Sequence, residues 1–127
     1  MTKTKKLPLI YSCSGCSNIA QLANRIAVEL DRNKQAEMSC IAGVGGGVKS
    51  LVKKAQAKRD IIAIDGCELA CVKHCLKLRG VVPTSHYCLT DYQLKKQYGI
   101  DCNDEDYQRI KSIIISDQVV LKGSDPL

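Results

Sequence analysis

Apolar and polar positions follow two rhythms along this chain. Residues 7–11 form a short apolar run entered through Pro8, and Ile61-Ile62-Ala63-Ile64 is an isoleucine-rich run of the kind that buried strands carry. Between them, Ile19, Leu22, Ala23, Ile26, Ala27 and Leu30 recur at the 3.6-residue spacing of an amphipathic helix, with Ser17 or Asn18 placed to cap it. Residues 36–39 predict a short second strand that ends at Cys40, and Leu51, Val52 and Ala55 predict a second helix over residues 48–57. Asp65 and Gly66 turn the chain out of the third strand. Leu69, Val72 and Leu76 then predict a third helix over residues 68–79, stopped by Gly80. A fourth strand is expected within residues 81–89, interrupted by Pro83. A short helix follows through Tyr98, ended by Gly99, and a last helix over residues 105–116 turns Ile110, Ile113 and Ile114 inward. Val119-Val120-Leu121 is apolar enough to dock, on a surface the sequence does not indicate.

Strand–helix alternation through short links predicts an α/β fold. The expectation is a three-layer sandwich around a mostly parallel sheet of about four strands, flavodoxin- or Rossmann-like. With 127 residues the chain reads as a single domain over residues 7–127 behind a basic, frayed tail, residues 1–6, with no internal repeat or linker. Trp and Phe are absent, so the core is expected to be aliphatic.

The formal charge of +6 comes from scattered Lys and Arg without interleaved aromatics, which reads as solvated helix faces and not as a nucleic-acid footprint. No stretch approaches the ~20 apolar residues of a membrane span, and residues 7–11 fall below the roughly 7–15 of a secretory h-region. The expected location is the cytoplasm. There, eight cysteines mean metal or redox chemistry more often than structural bridges.

Topology gives the cysteines a meeting place. In a parallel sheet every loop that follows a strand lies on the carboxyl edge, and neighbouring strands are about 4.8 Å apart. Cys13 and Cys16 follow the first predicted strand, Cys40 the second, and Cys67 and Cys71 the third. In a 2-1-3 strand order these loops are neighbours. Cys67 is expected where strand passes to helix, with Cys71 one turn along the same helix face, both at the positive end of the helix dipole that favours thiolate. Cys13-x2-Cys16 and Cys67-x3-Cys71 together offer four soft donors, enough for a closed tetrahedral zinc site or for an iron–sulfur cluster. The spacing does not choose between them.

The remaining candidates read more plainly. Cys75 is two helical turns from Cys67, about 12 Å, and is assigned to the core with Val72, while His74 is placed on the solvent flank. His86, Cys88 and Cys102 are single residues read as core or surface, although the fourth strand could bring Cys88 to the same edge. Gly43, Gly45, Gly46 and Gly47 lack both the Lys-Ser/Thr ending of a P-loop and the G-x-G-x-x-G pattern. Gly45 and Gly46 either cradle a small anionic ligand with backbone N–H groups or keep the backbone thin beside the metal site.

Asp65-Gly66-Cys67 followed by Ala70-Cys71, with Cys13-Ser14-Gly15-Cys16 before it and Cys40-Ile41-Ala42-Gly43-Val44-Gly45-Gly46 between, resembles the DGC family, named for its central Asp-Gly-Cys motif. The resemblance runs over residues 8–79 by motif and extends more weakly to residue 116. It implies zinc held by Cys13, Cys16, Cys67 and Cys71, with Cys40 as a further ligand or a neighbour. It implies a metal and not a reaction.

Two other functions compete. A thiol–disulfide oxidoreductase would use Cys13 and Cys16 between strand and helix, and Val81-Val82-Pro83-Thr84 resembles the stretch where thioredoxins keep a cis proline. Ser14-Gly15 is not the usual Gly-Pro, however, and that fold would leave Cys67 and Cys71 unused. A cysteine phosphatase needs an Arg six residues after its nucleophile. Here those positions are Ile19 and Leu22. No general base is visible beside the cysteines, and Asp65 is expected to orient the turn or to hydrogen-bond a thiolate neighbour, since carboxylates readily cap helices. No substrate is assigned.

Overall fold

The fold is described from a computed structural model over residues 6–123. The frayed tail expected at residues 1–6 therefore lies, but for Lys6, outside the described residues. In chain order the elements are β1 (Leu9–Ser12), α1 (Asn18–Arg32), β2 (Glu37–Met38), α2 (Ile41–Gly46), α3 (Lys49–Ala55), β3 (Ile61–Asp65), α4 (Cys71–Leu78), β4 (Ser85–Cys88), a 3-10 turn (Leu89–Tyr92) and α5 (Asp104–Gly123). The four strands pair in the order β2-β1-β3-β4, all parallel.

Side-chain alternation along β1 and β3 creates the layers. Leu9, Tyr11, Ile61 and Ala63 face one way and pack with Val44 of α2, Ala55 of α3 and Val72 and Leu76 of α4. Ile10, Ile62 and Ile64 face the other way with Tyr87, against the apolar stripe of α1 and Ile110 and Ile114 of α5. All five residues of β3 are buried, as a parallel strand covered on both faces requires. The three-layer α/β sandwich read from the sequence is the fold. Tyr11, Tyr87 and Tyr107 are buried, so the core is less purely aliphatic than composition suggests.

Four local expectations change. The glycine run is helical up to Gly46, the end of α2, and Gly47 with its φ of +80° breaks α2 from α3. The third helix starts at Cys71 and not at residue 68, because Ala70 takes a left-handed conformation and ends a turn. The helix expected through Tyr98 shrinks to the 3-10 turn, and residues 93–99 run as an irregular strap past the start of α1. Finally α5 extends to Gly123, carrying Val119 and Val120 exposed in its last turns. Among the described residues no helix is long and apolar enough to cross a membrane.

Candidate functional site at the carboxyl edge of the sheet

The register across β1, β3 and β4 aligns three residues in one row. Cys13 extends β1 by one residue, its N–H donating to the Ile64 carbonyl at 3.2 Å, and Asp65 is paired with Cys88. Alternation puts Asp65 and His86 on the sheet face that α4 covers.

Asp65 is 1 % exposed and fully engaged. Its carboxylate accepts from the Val72 N–H at 2.8 Å, from the Lys73 N–H at 3.2 Å and from His86 Nε2 at 2.8 Å. The first N–H groups of a helix have no partner within it. Ala70, at the cap position of α4, has no side-chain oxygen to offer. Asp65 therefore caps α4 from the end of the neighbouring strand, and its charge complements the positive helix end. The Asp of the Asp-Gly-Cys motif thereby fixes the helix turn that presents Cys71.

Gly66 has a different reason to be glycine. A Cβ there would lie 2.9 Å from the Ala20 nitrogen and 3.0 Å from the Ile19 carbonyl carbon, inside backbone that cannot move independently. The motif turn is thus pressed against the first turn of α1. Its N–H donates to Cys13 Sγ at 3.1 Å, tying the first cysteine loop to the motif.

Burial pushes the Cys13 thiol up to about 11. The Gly66 N–H opposes that shift, while the charges of Asp65, Cys71 and Cys67 add to it. Cys13 therefore lies within electrostatic reach of the Cys67 and Cys71 loops. Alkylation of Cys13 in the metal-free chain is expected to accelerate about tenfold per pH unit between pH 7 and 10, because only the thiolate reacts. Since an unfolded thiol titrates at its ordinary 9.0, the unfolded chain binds fewer protons between 9 and 11. The metal-free fold should accordingly lose up to ~2 kcal/mol as pH rises through that window. Denaturant melts at pH 8 and 10.5 measure it.

The strap over residues 93–99 adds residues the sequence does not single out. Asn18 is buried and holds the strap from three sides. Its side chain donates to the Lys95 carbonyl at 3.1 Å and accepts from the Gln97 N–H at 2.7 Å, and its own N–H donates to the Gln97 carbonyl at 2.9 Å. This brings Lys96 Nζ to 3.5 Å from Cys67 Sγ. Hydrogen bonds to Tyr98 first and Cys67 second raise the Lys96 ammonium above its ordinary value.

The remaining cysteines divide by exposure. Cys16, Cys40 and Cys71 are exposed, Cys67 and Cys75 are half-buried, and all eight thiols are free. The loop bearing Cys16 is held by Gln21, whose Nε2 donates to the Gly15 carbonyl at 2.8 Å. Cys75 belongs to neither apolar cluster; its thiol lies under Gly45, where a Cβ would stand 2.8 Å from Sγ. The carbonyls of Val44 and Gly45 accept from the Arg79 guanidinium at 2.8 and 2.9 Å. Cys102 instead lines a cleft of about 800 Å³ between α1 and α5, with Arg25, Tyr107 and Lys111.

Among the described residues, no three His, Cys, Asp or Glu side chains stand together in a metal-holding array. The donor types suit a thiophilic metal, and the backbone brings their loops to one edge. The exposed thiols would have to turn inward to close a site. The links of His86 and Lys96 to the motif escape a sequence reading for one reason: each is made through a neighbour distant in sequence. Alternation within Ser85-His86-Tyr87-Cys88 sets His86 and Cys88 on one face, but only strand order makes Asp65 their neighbour.

The DGC domain matches residues 9–114 of the chain. A protein of Pseudomonas aeruginosa, "Anaerobic and virulence modulator AnvM", is 59 % identical over 104 residues, covering 82 % of this chain and 79 % of the relative. No solved structure matches this chain.

Proposed function

The chain belongs to the DGC family, and from that premise we propose that it binds zinc through Cys13, Cys16, Cys67 and Cys71 in a structural, sensing or metal-handling role. One observation carries this reading. Cys13 Sγ is hydrogen-bonded to the N–H of Gly66, the residue beside Cys67, so the C-x2-C loop and the motif turn are joined at one sheet edge. The other members supply what such a site needs. Cys16 and Cys71 are exposed and have room to rotate, and Asp65 fixes the first turn of α4. Lys96 places a positive charge at Cys67, which offsets the excess negative charge of four thiolates around one divalent ion.

When bound, zinc in a closed four-thiolate site supplies cross-linking and not catalysis, since no coordination position stays open. That agrees with a regulatory role, and the Pseudomonas relative is itself called a modulator. Loading requires the thiols to lose their protons, Cys13 above all, so affinity should rise with pH. Eight free thiols suit a reducing compartment, and we place the protein in the cytoplasm.

Substitution separates ligands from bystanders. Cys67→Ser is expected to lower zinc content from about one per chain to near zero, whereas Cys102→Ser should leave it unchanged. Equal retention of zinc by both variants would remove Cys67 from the site.

A further inference from the structure

We infer that Cys71 and Cys75 form a two-thiolate clamp on α4 for a soft monovalent metal ion of the copper(I) class. The clamp shares Cys71 with the zinc site proposed above but does not depend on it.

Helical geometry is the first support. Cys71 opens α4 and Cys75 follows one turn later on the same face, while Val72 and Leu76 take the buried face. Side chains at i and i+4 have Cβ atoms about 5–6 Å apart. Two metal–sulfur bonds of about 2.3 Å span up to ~4.6 Å between sulfurs, within easy reach of such a pair. A disulfide needs Cβ atoms about 3.5–4.5 Å apart. The pair is thus spaced for an ion between the sulfurs, and a direct bridge would distort the helix.

The second support is the space above Cys75. Gly45 of α2 passes over it so closely that a Cβ would meet Sγ at 2.8 Å. Glycine at this position leaves the thiol a notch. Cys75 is only half-buried there, one helical turn along the flank of α4 that is open at Cys71.

Ion choice follows from donor number. A pair of thiolates leaves zinc two ligands short of its usual four. Soft thiolate ligands select copper(I), which accepts two-coordinate binding. Each thiol gives up its proton to solvent as the ion binds, with no change of oxidation state.

The test uses the full chain carrying Cys13→Ser and Cys16→Ser, which removes half of the zinc site and leaves the clamp. It is titrated anaerobically with copper(I) against a competing chelator. Cysteine accessibility is then mapped by iodoacetamide and peptide mass spectrometry. The expected result is about one copper(I) per chain, with Cys71 and Cys75 protected and Cys40, Cys67, Cys88 and Cys102 still reactive. Adding Cys75→Ser should weaken binding at least about tenfold, equivalent to ~1.4 kcal/mol; Gly45→Ala, which fills the notch, should also weaken it. Uptake of copper(I) with Cys75 still reactive would overturn the clamp, as would no uptake at all. Zinc loading of the unaltered chain, measured separately, reports on the four-cysteine site whichever way the copper titration falls.

Discussion

Gly66→Ala is expected to destabilise the fold by about 3 kcal/mol, lowering the melting temperature by about 10 °C. The added methyl would meet the Ala20 nitrogen at 2.9 Å and the Ile19 carbonyl carbon at 3.0 Å. These atoms belong to the first turn of α1, which is buried against the sheet and capped by Ser17 through a 3.1 Å bond from the Ala20 N–H. Relief requires moving that turn or the end of β3. Either movement also stretches the bond from the Gly66 N–H to Cys13 Sγ. Gly80→Ala provides a contrast, since a Cβ there meets nothing within 4 Å and only its φ of +74° opposes the change. Thermal melts of both variants check the ranking. A Gly66→Ala protein that melts with the parent would show that the motif turn does not press on α1.

Asp65→Ala is expected to cost a similar ~3 kcal/mol and to weaken metal binding roughly 10–100-fold. The substitution orphans two N–H groups at the start of α4 and removes the partner of His86 Nε2. No other side chain caps that helix, because Ala70 holds the cap position. Asp65→Asn keeps one acceptor oxygen and should fall between parent and Asp65→Ala in both measurements. Chemical denaturation with a zinc competition assay distinguishes this from a purely structural role. If the fold weakens while zinc affinity stays unchanged, Asp65 serves the fold alone.

These two residues show how much of the molecule the sequence carries. The strongest local patterns read correctly. The stripe from Ile19 to Leu30 is α1, the isoleucine run is the central strand, and alternation of elements yields a parallel sheet whose loops share an edge. Asp65 orients the turn as expected, and it does so through the Val72 and Lys73 N–H groups and not through a thiol. Failures occur where distant groups decide. Leu69 suggests that helix begins by residue 68, yet Leu69 is exposed and the helix waits for Cys71, where the Asp65 carboxylate takes over its first N–H groups.

The same cause hides parts of the site. Cys75 matches the inner spacing of a helix, which assigns it to the core, but its neighbour is Gly45 of α2, a contact no local pattern encodes. The spacing around Tyr98 predicts a helix. Instead the strap containing it is set by Asn18, 77 residues from Lys95, and so Lys96 arrives beside Cys67. The glycine run illustrates the opposite limit. Its composition suggests a loop, while the structure winds it into α2 and stops it at Gly47, with the Arg79 side chain bonded to the carbonyls of Val44 and Gly45.

The most direct test of the zinc reading is metal content with a thiol count on the unaltered chain, purified anaerobically without a metal-affinity tag. The expected result is about one zinc per chain, a colourless solution and about four of the eight thiols protected until a chelator is added, Cys13, Cys16, Cys67 and Cys71 among them. Brown protein with iron and acid-labile sulfide would move the same cysteines to an iron–sulfur cluster. No metal, all thiols open to alkylation and a Cys13–Cys16 bridge after mild oxidation would contradict the zinc reading and favour thiol–disulfide exchange.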